Sequence, residues 1–292
     1  MPTLPRHIQL VGYASGIAAS HSGCDQGPHV LKDSAYFKAL NDQGLQLHWA
    51  HMVEPTITHS IAVAVQAVCT KLANVVCELV QQQQFFTVIG GDHSCAIGTW
   101  SGVHQAISPQ GDLGLIWIDA HLDSHTPLTS ETGNIHGMPV ACLMGHGDEK
   151  LTQILSTNAK IKPENLCIIG ARSFEAGEAA LLKSLNVRVF FMDEVLEKGL
   201  SAVMEEAIKV VSENTVRYGL TLDIDSINPL EAPATGVSEP GGLNAAELCQ
   251  ALGKVKHDPR LIGLEIVEFD PSLDIDQKTE KLIPHLLAAM TI

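Results

Sequence analysis

Seven short runs of β-branched and other apolar residues punctuate the chain, at Ile8–Val11, Phe86–Ile89, Leu113–Ile118, Leu166–Ile169, Val187–Phe191, Gly219–Leu222 and Leu261–Ile266. Longer segments of helical character lie between them, among them Ile57–Gln83, Glu175–Leu185, Ala202–Val211 and Asn244–Val255. Strands that are apolar throughout and alternate with helices belong to a mostly parallel sheet covered on both faces, because such strands have no side to offer to water. The expected fold class is α/β, a single doubly wound domain over residues 1–292. Asn244 followed by Glu247 has the spacing of a capping box, in which each side chain satisfies a free amide of the first turn. The glutamines at 81–84 read as a helix end, and no internal repeat of fixed period is present.

In open α/β sheets, ligands sit beyond the carboxyl ends of the strands, where loops converge over one crevice. Four apolar runs end in polar clusters of one chemical kind: "GGDHS" at 90–94, "DAHLD" at 119–123, "LDIDS" at 222–226 and "VEFDP" at 267–271. The first three supply His93, Asp119, His121, Asp123, Asp223 and Asp225. If residues 119, 121 and 123 continue a strand, their alternate side chains point to one side and converge. A lone Asp-x-Asp after a strand is ordinarily a turn or a helix cap, but capping does not account for three such clusters at three strand ends. Four carboxylates gathered together repel unless a cation neutralises them. Oxygen and imidazole without thiolate favour Mn²⁺, with Fe²⁺, Co²⁺ or Zn²⁺ as alternatives. Two such ions activate water near neutral pH and stabilise developing charge. The residues therefore read as a binuclear metallohydrolase.

Composition narrows the partners. A formal charge of −15, with only 18 Lys and Arg spread along 292 residues, argues against nucleic acid and against anionic membranes. No uninterrupted apolar run approaches the ~20 residues of a membrane span. The opening "MPTLPRHIQLVGYASG" lacks a signal-peptide core, so a cytoplasmic location is expected. The seven cysteines form no Cys-x-x-Cys pair and read as reduced thiols; Cys95, two residues from His93, is a weaker ligand candidate than the oxygen and imidazole set.

The three clusters, extended by "GCDQGP" at 23–28 and "EIVEFDP" at 265–271, resemble the ureohydrolase superfamily of arginases and agmatinases along nearly the whole chain. The resemblance implies a three-layer α/β/α domain with a mostly parallel sheet of about eight strands, two Mn²⁺ ions, a small-molecule guanidino substrate and a homo-oligomer, trimer or hexamer. It implies that Asp119 and Asp223 bridge the ions. His93 and Asp123 would complete one shell, His121 and Asp225 the other. Asp123 would also orient the attacking hydroxide, Glu268 would pair with the substrate guanidinium, and His136 in "GNIHGMP" would pass a proton to the leaving amine.

The far end of the substrate is read from "TPLTSETGNIHGMP" and "SFEAGE". By position Thr132 and Asn134 hold an α-carboxylate, and Glu175 and Glu178 an α-ammonium. His125 stands where arginases usually have Asn, and Val237 replaces a threonine, while "SEPGGL" at 238–243 is closer to agmatinases. The expected reaction is hydrolysis of L-arginine to L-ornithine and urea. Agmatine or another guanidino compound is the alternative, and a non-catalytic, metal-stabilised binding subunit the second alternative.

Overall fold

The computed structural model describes residues 7–56 and 58–291. The first six residues of the opening segment, and Ile57 at the expected helix start, lie outside the described residues. Eight strands form one sheet: β1 (His7–Tyr13), β2 (Gln46–Val53), β3 (Phe85–Gly90), β4 (Leu113–Ile118), β5 (Leu166–Ala171), β6 (Arg188–Phe191), β7 (Arg217–Asp223) and β8 (Leu261–Val267). Their order is β2-β1-β3-β8-β7-β4-β5-β6, and every neighbouring pair is parallel.

Alternation along the strands distributes their apolar side chains between two cores. Leu113, Leu115 and Trp117 of β4 pack with Val68, Leu72 and Val76 of the helix Ile61–Gln81, and with Ile97, Trp100 and Val103 of the helix Cys95–Ile107. Ile116 and Ile118 point the other way, onto Val203, Met204 and Ala207 of Leu200–Ser212 and, through the same cluster, Leu286 and Leu287 of Lys278–Thr291. Each such buried side chain stabilises the fold by about 1.5–3 kcal/mol over an exposed one. Helices thus cover both faces, giving the three layers.

The helix Ile61–Gln81 has 21 residues and a mean hydropathy of 1.6 over its most apolar window, long and apolar enough by composition to cross a membrane. The expectation of no such segment counted uninterrupted runs. Here Lys71, Asn74 and Glu78 break the run on the solvent side while nine residues, Ala64 to Leu79, are buried.

β2 is absent from the sequence-derived strands. It is an edge strand with Gln46, His48 and His51 exposed, so half of its surface is polar and the apolar run that marks the other strands is missing. Of the expected capping box at Asn244, the Asn244 half forms: its side chain accepts from the Glu247 amide at 3.0 Å. The reciprocal box is built instead at the helix Ala176–Ser184, by Glu175 and Glu178.

The four strands with polar ends, β3, β8, β7 and β4, are adjacent at the sheet centre. β3 and β4 are consecutive in the chain but separated in the sheet by β8 and β7. That reversal opens the crevice into which their carboxyl ends deliver His93, Asp119, Asp223 and Glu268.

Candidate functional site

The loop after β3 turns against the chain at Ser15. A Cβ on Gly91 would lie 2.1 Å from the Ser15 carbonyl oxygen, so only glycine fits this approach. Asp92 accepts from the amides of Ala18 and Ser94 at 3.1 and 3.0 Å, and from the Ser94 hydroxyl. It fixes the loop, and His93 is the residue that faces the crevice.

His93 Nδ1 lies 3.2 Å from Asp119 Oδ2, 3.1 Å from Asp123 Oδ2 and 3.1 Å from Asp223 Oδ2. His121 Nδ1 lies 2.9 Å from Asp225 Oδ2 and 3.4 Å from Asp119 Oδ1. Two ligand groups result, His93 with Asp119 and Asp223, and Asp119 with His121 and Asp225, sharing Asp119. Asp123 joins the first through its contact with His93.

Asp119, Asp223 and Asp225 are each held by backbone or ring donors. Asp119 Oδ1 accepts from the His121 amide at 2.7 Å and Oδ2 from Trp117 Nε1 at 2.8 Å. Asp223 Oδ1 accepts from the Asp225 amide at 2.8 Å, and Asp225 Oδ1 from the Ala120 amide at 3.1 Å, leaving each Oδ2 toward an imidazole. Trp117 also stacks on the His93 ring, centroids 4.2 Å apart and planes 15° from parallel.

Contrary to the expectation from strand alternation, residues 119, 121 and 123 do not continue the strand. β4 ends at Ile118, and Asp123 has φ of 46°, which no strand residue adopts. A tight loop brings the three side chains together, closed by Val140 donating to the Asp123 carbonyl at 2.9 Å. Asp225 likewise sits in the 3-10 turn Ile224–Ser226 beyond β7.

Buried, closely spaced carboxylates dominate the electrostatics of the site. Burial and neighbouring carboxylates push Asp223 well up, and Asp225 to about 6. Burial alone would raise Asp119, but the two imidazoles outweigh it and hold it low. Burial would lower both imidazoles, yet the surrounding carboxylates drive them up. The buried His93 Nδ1 has no hydrogen-bond partner despite three oxygens within 3.2 Å. An orphaned nitrogen facing carboxylate oxygens fits a pair of divalent cations, whose charge would relieve the repulsion.

Above the ligands opens a pocket of about 280 Å³. On its wall Glu268 Oε1 accepts from the His93 amide at 2.8 Å and lies 3.2 Å from His136 Nδ1. Burial would lower the His136 pKa, but Glu268 outweighs it and raises it to about 9. Thr132, Asn134, His125, Glu175 and Glu178 also line the pocket. The Asn134 amide donates to Ser20 Oγ at 2.7 Å.

His125 Nε2 meets Glu175 Oε2 at 2.7 Å and Glu178 Oε2 at 3.4 Å, while Nδ1 meets Thr129 Oγ1 at 3.1 Å. Both ring nitrogens are thus engaged within the protein. Glu178 accepts from the amides of Ser124 and Glu175, each at 3.1 Å. Burial, then Glu175, pushes its pKa up to about 8.

Ser130, Ser173, Phe174 and Glu239 share the lining; they fall inside "TPLTSETGNIHGMP", "SFEAGE" and "SEPGGL" without a binding role assigned to them, and Trp117 was passed over. Arg172 was missed too. Its guanidinium donates to the carbonyls of Gly170, Asp225, Ser226, Glu239 and Pro240, tying the loops behind the site. No motif marks Trp117 or Arg172; an apolar strand residue and a single arginine carry no spacing signal. A larger groove of about 600 Å³, lined by Val80, Phe85 and Arg217 among others, has no His or carboxylate in its lining.

A family model described as "Arginase family" matches residues 6–292. The arginase of Brevibacillus brevis is 35% identical over 293 aligned residues, covering 98% of this chain and 97% of that protein. The crystal structure of Bacillus subtilis arginase superposes with a TM-score of 0.90 at 33% identity, covering 98% of each chain. That of Entamoeba histolytica arginase in complex with L-ornithine does so at 0.89 and 25% identity, covering 99% of each.

Proposed function

The chain belongs to the arginase family, and from that premise we propose that it hydrolyses L-arginine to L-ornithine and urea at the crevice beyond β3, β4, β7 and β8. The observation that carries the reading is the pair of ligand groups joined at Asp119, with Glu268 and His136 in contact on the pocket wall above them.

His93, Asp119, His121, Asp123, Asp223 and Asp225 would hold a pair of divalent ions, with Mn²⁺ favoured by the oxygen and imidazole donors and Fe²⁺, Co²⁺ or Zn²⁺ as alternatives. When bound, the ions supply Lewis acidity that activates water near neutral pH. The protein's residues do the rest. Glu268 accepts from the guanidinium in charge-assisted hydrogen bonds, which fixes the plane in which its carbon is presented. Asp123, at the pocket floor, orients the attacking water. His136, charged at neutral pH through Glu268, donates a proton to the departing amine, a role suited to imidazole.

At the mouth, Thr132, Asn134 and Ser130 offer hydroxyl and amide groups to the α-carboxylate, and Glu175 and Glu178 offer carboxylates to the α-ammonium. A homo-oligomer, trimer or hexamer, is proposed on the family resemblance alone.

One observation favours agmatine as a second reading. The described pocket lining contains no Lys or Arg, and His125 is already bonded to Glu175 and Thr129, so the mouth is poor in positive charge for a carboxylate. Urea release by the Mn²⁺-loaded protein decides. A higher kcat/KM for arginine supports the first reading, a tenfold advantage for agmatine replaces it with the second, and no urea from any guanidino compound despite two bound ions leaves a binding subunit.

A further inference from the structure

Glu265 lies in the interior of β8, fully buried, and the proposed reaction does not use it. A carboxylate in such a place is costly unless hydrogen-bonded. Both of its oxygens are bonded: Oε1 accepts from the Thr221 hydroxyl at 2.8 Å, and Oε2 from the Thr99 hydroxyl. Thr221 stands directly across the ladder from it on β7.

Thr221 Oγ1 also lies 3.1 Å from His93 Nε2. A hydroxyl has a single hydrogen. With that hydrogen directed to Glu265, the Thr221 oxygen can only accept from His93, so Nε2 carries the ring hydrogen. In the neutral ring, the form that binds an ion, Nδ1 is then left with its lone pair toward Asp119, Asp123 and Asp223, where it is buried and makes no hydrogen bond. Trp117, stacked on the ring, holds its plane.

We propose that Glu265, acting through Thr221, is a positioning residue that sets the tautomer of His93 and so prepares Nδ1 to bind the first divalent ion. The inference rests on the metal-centre reading above. The chain of donors works because an ionised carboxylate is acceptor-only. A glutamine could turn its NH₂ toward Thr221, reversing the Thr221 hydroxyl toward His93 Nε2 and moving the ring hydrogen to Nδ1, where it blocks the ion.

The test compares the wild type with Glu265→Gln, Thr221→Val and the conservative Thr221→Ser. Mn²⁺ binding is measured by calorimetry, and the His93 Nε2–H resonance by ¹⁵N-histidine NMR of the diamagnetic Zn²⁺-loaded protein. Thr221→Ser should match the wild type. Glu265→Gln and Thr221→Val should weaken one of the two binding steps by about 10- to 100-fold, the usual cost of losing a partner behind a ligand, and should shift the His93 resonance while the other step stays unchanged. Should Glu265→Gln not fold, the two Thr221 variants read the same donor chain from its other end.

Glu265→Gln binding both ions as tightly as wild type, with an unshifted His93 resonance, would overturn the proposal. Equal weakening of both steps with a lower unfolding temperature would do so as well, by reducing Glu265 to a packing role. A wild type that binds fewer than two ions removes the metal-centre reading itself, a failure visible before any variant is compared.

Discussion

Asp123 and Glu268 enter the pocket from different strands with the same backbone departure, φ of 46° and 64°, in the left-handed region. Asp123 is closed into its loop by Val140, and Glu268 donates its amide to the Gly91 carbonyl at 2.8 Å, so the surrounding loops hold both conformations in place. Conformations of this kind concentrate where a side chain must be aimed.

The strain at Glu268 predicts an inverted order of variants. Glu268→Gly and Glu268→Ala lose the same bonds to His93 and His136, but alanine keeps the left-handed penalty of roughly 1–2 kcal/mol. The glycine variant should be the more stable by about that amount in urea unfolding. Alanine equal to or above glycine would mean that no strain is stored there.

Asp123→Asn keeps the size of the side chain and removes a charge that faces His93. Bound divalent metal should fall below two ions per chain by elemental analysis, and activity should drop further than for His136→Asn. The latter removes only a proton-transfer contribution of about 10²–10⁴. Full turnover in Asp123→Asn would remove that residue from the ligand set.

His136 gives a pH dependence with a definite sign. Its pKa is raised to about 9 from an unfolded value of about 6.5, so the stability it contributes is fully present below about 6.5 and is lost as pH rises through 9. Activity that needs its proton should fall over the same alkaline limb. In Glu268→Gln the opposing effect of burial is no longer outweighed, and NMR titration should find the His136 pKa well below the wild-type value. An unmoved pKa would show that Glu268 is not its cause.

The contacts of His125 lie at the pocket mouth, away from the reacting carbon. Interactions that hold substrate and transition state equally change KM and leave kcat. His125→Ala should therefore alter KM several-fold, with kcat nearly preserved, in steady-state assays of urea release. A collapse of kcat with unchanged KM would place His125 in the chemistry instead.

Chelation should destabilise the fold, since it leaves four buried carboxylates around two imidazoles without a cation. Restoring divalent metal to about 100 times its Kd should return about 2.7 kcal/mol, read as a rise in Tm. A Tm indifferent to metal would speak against a binuclear centre.

The sequence by itself determined the layer architecture and the chemical kind of site. Apolar strands such as Leu113–Ile118 can only be buried on both faces, and the His and Asp residues after them have no other economical use than a cation. It missed β2, whose exposed edge carries histidines in place of an apolar run, and it explained Asp123 by a strand period that the chain had already left. Which strand ends meet was decided by the tertiary structure, because the order β3-β8-β7-β4 joins segments up to about 175 positions apart. Only that packing turns Glu265, Thr221 and His93 into one directed chain of hydrogen bonds, and ties His125 to Glu175: a hydrogen bond depends on distance and angle in space, and spacing along a chain does not encode either across a sheet.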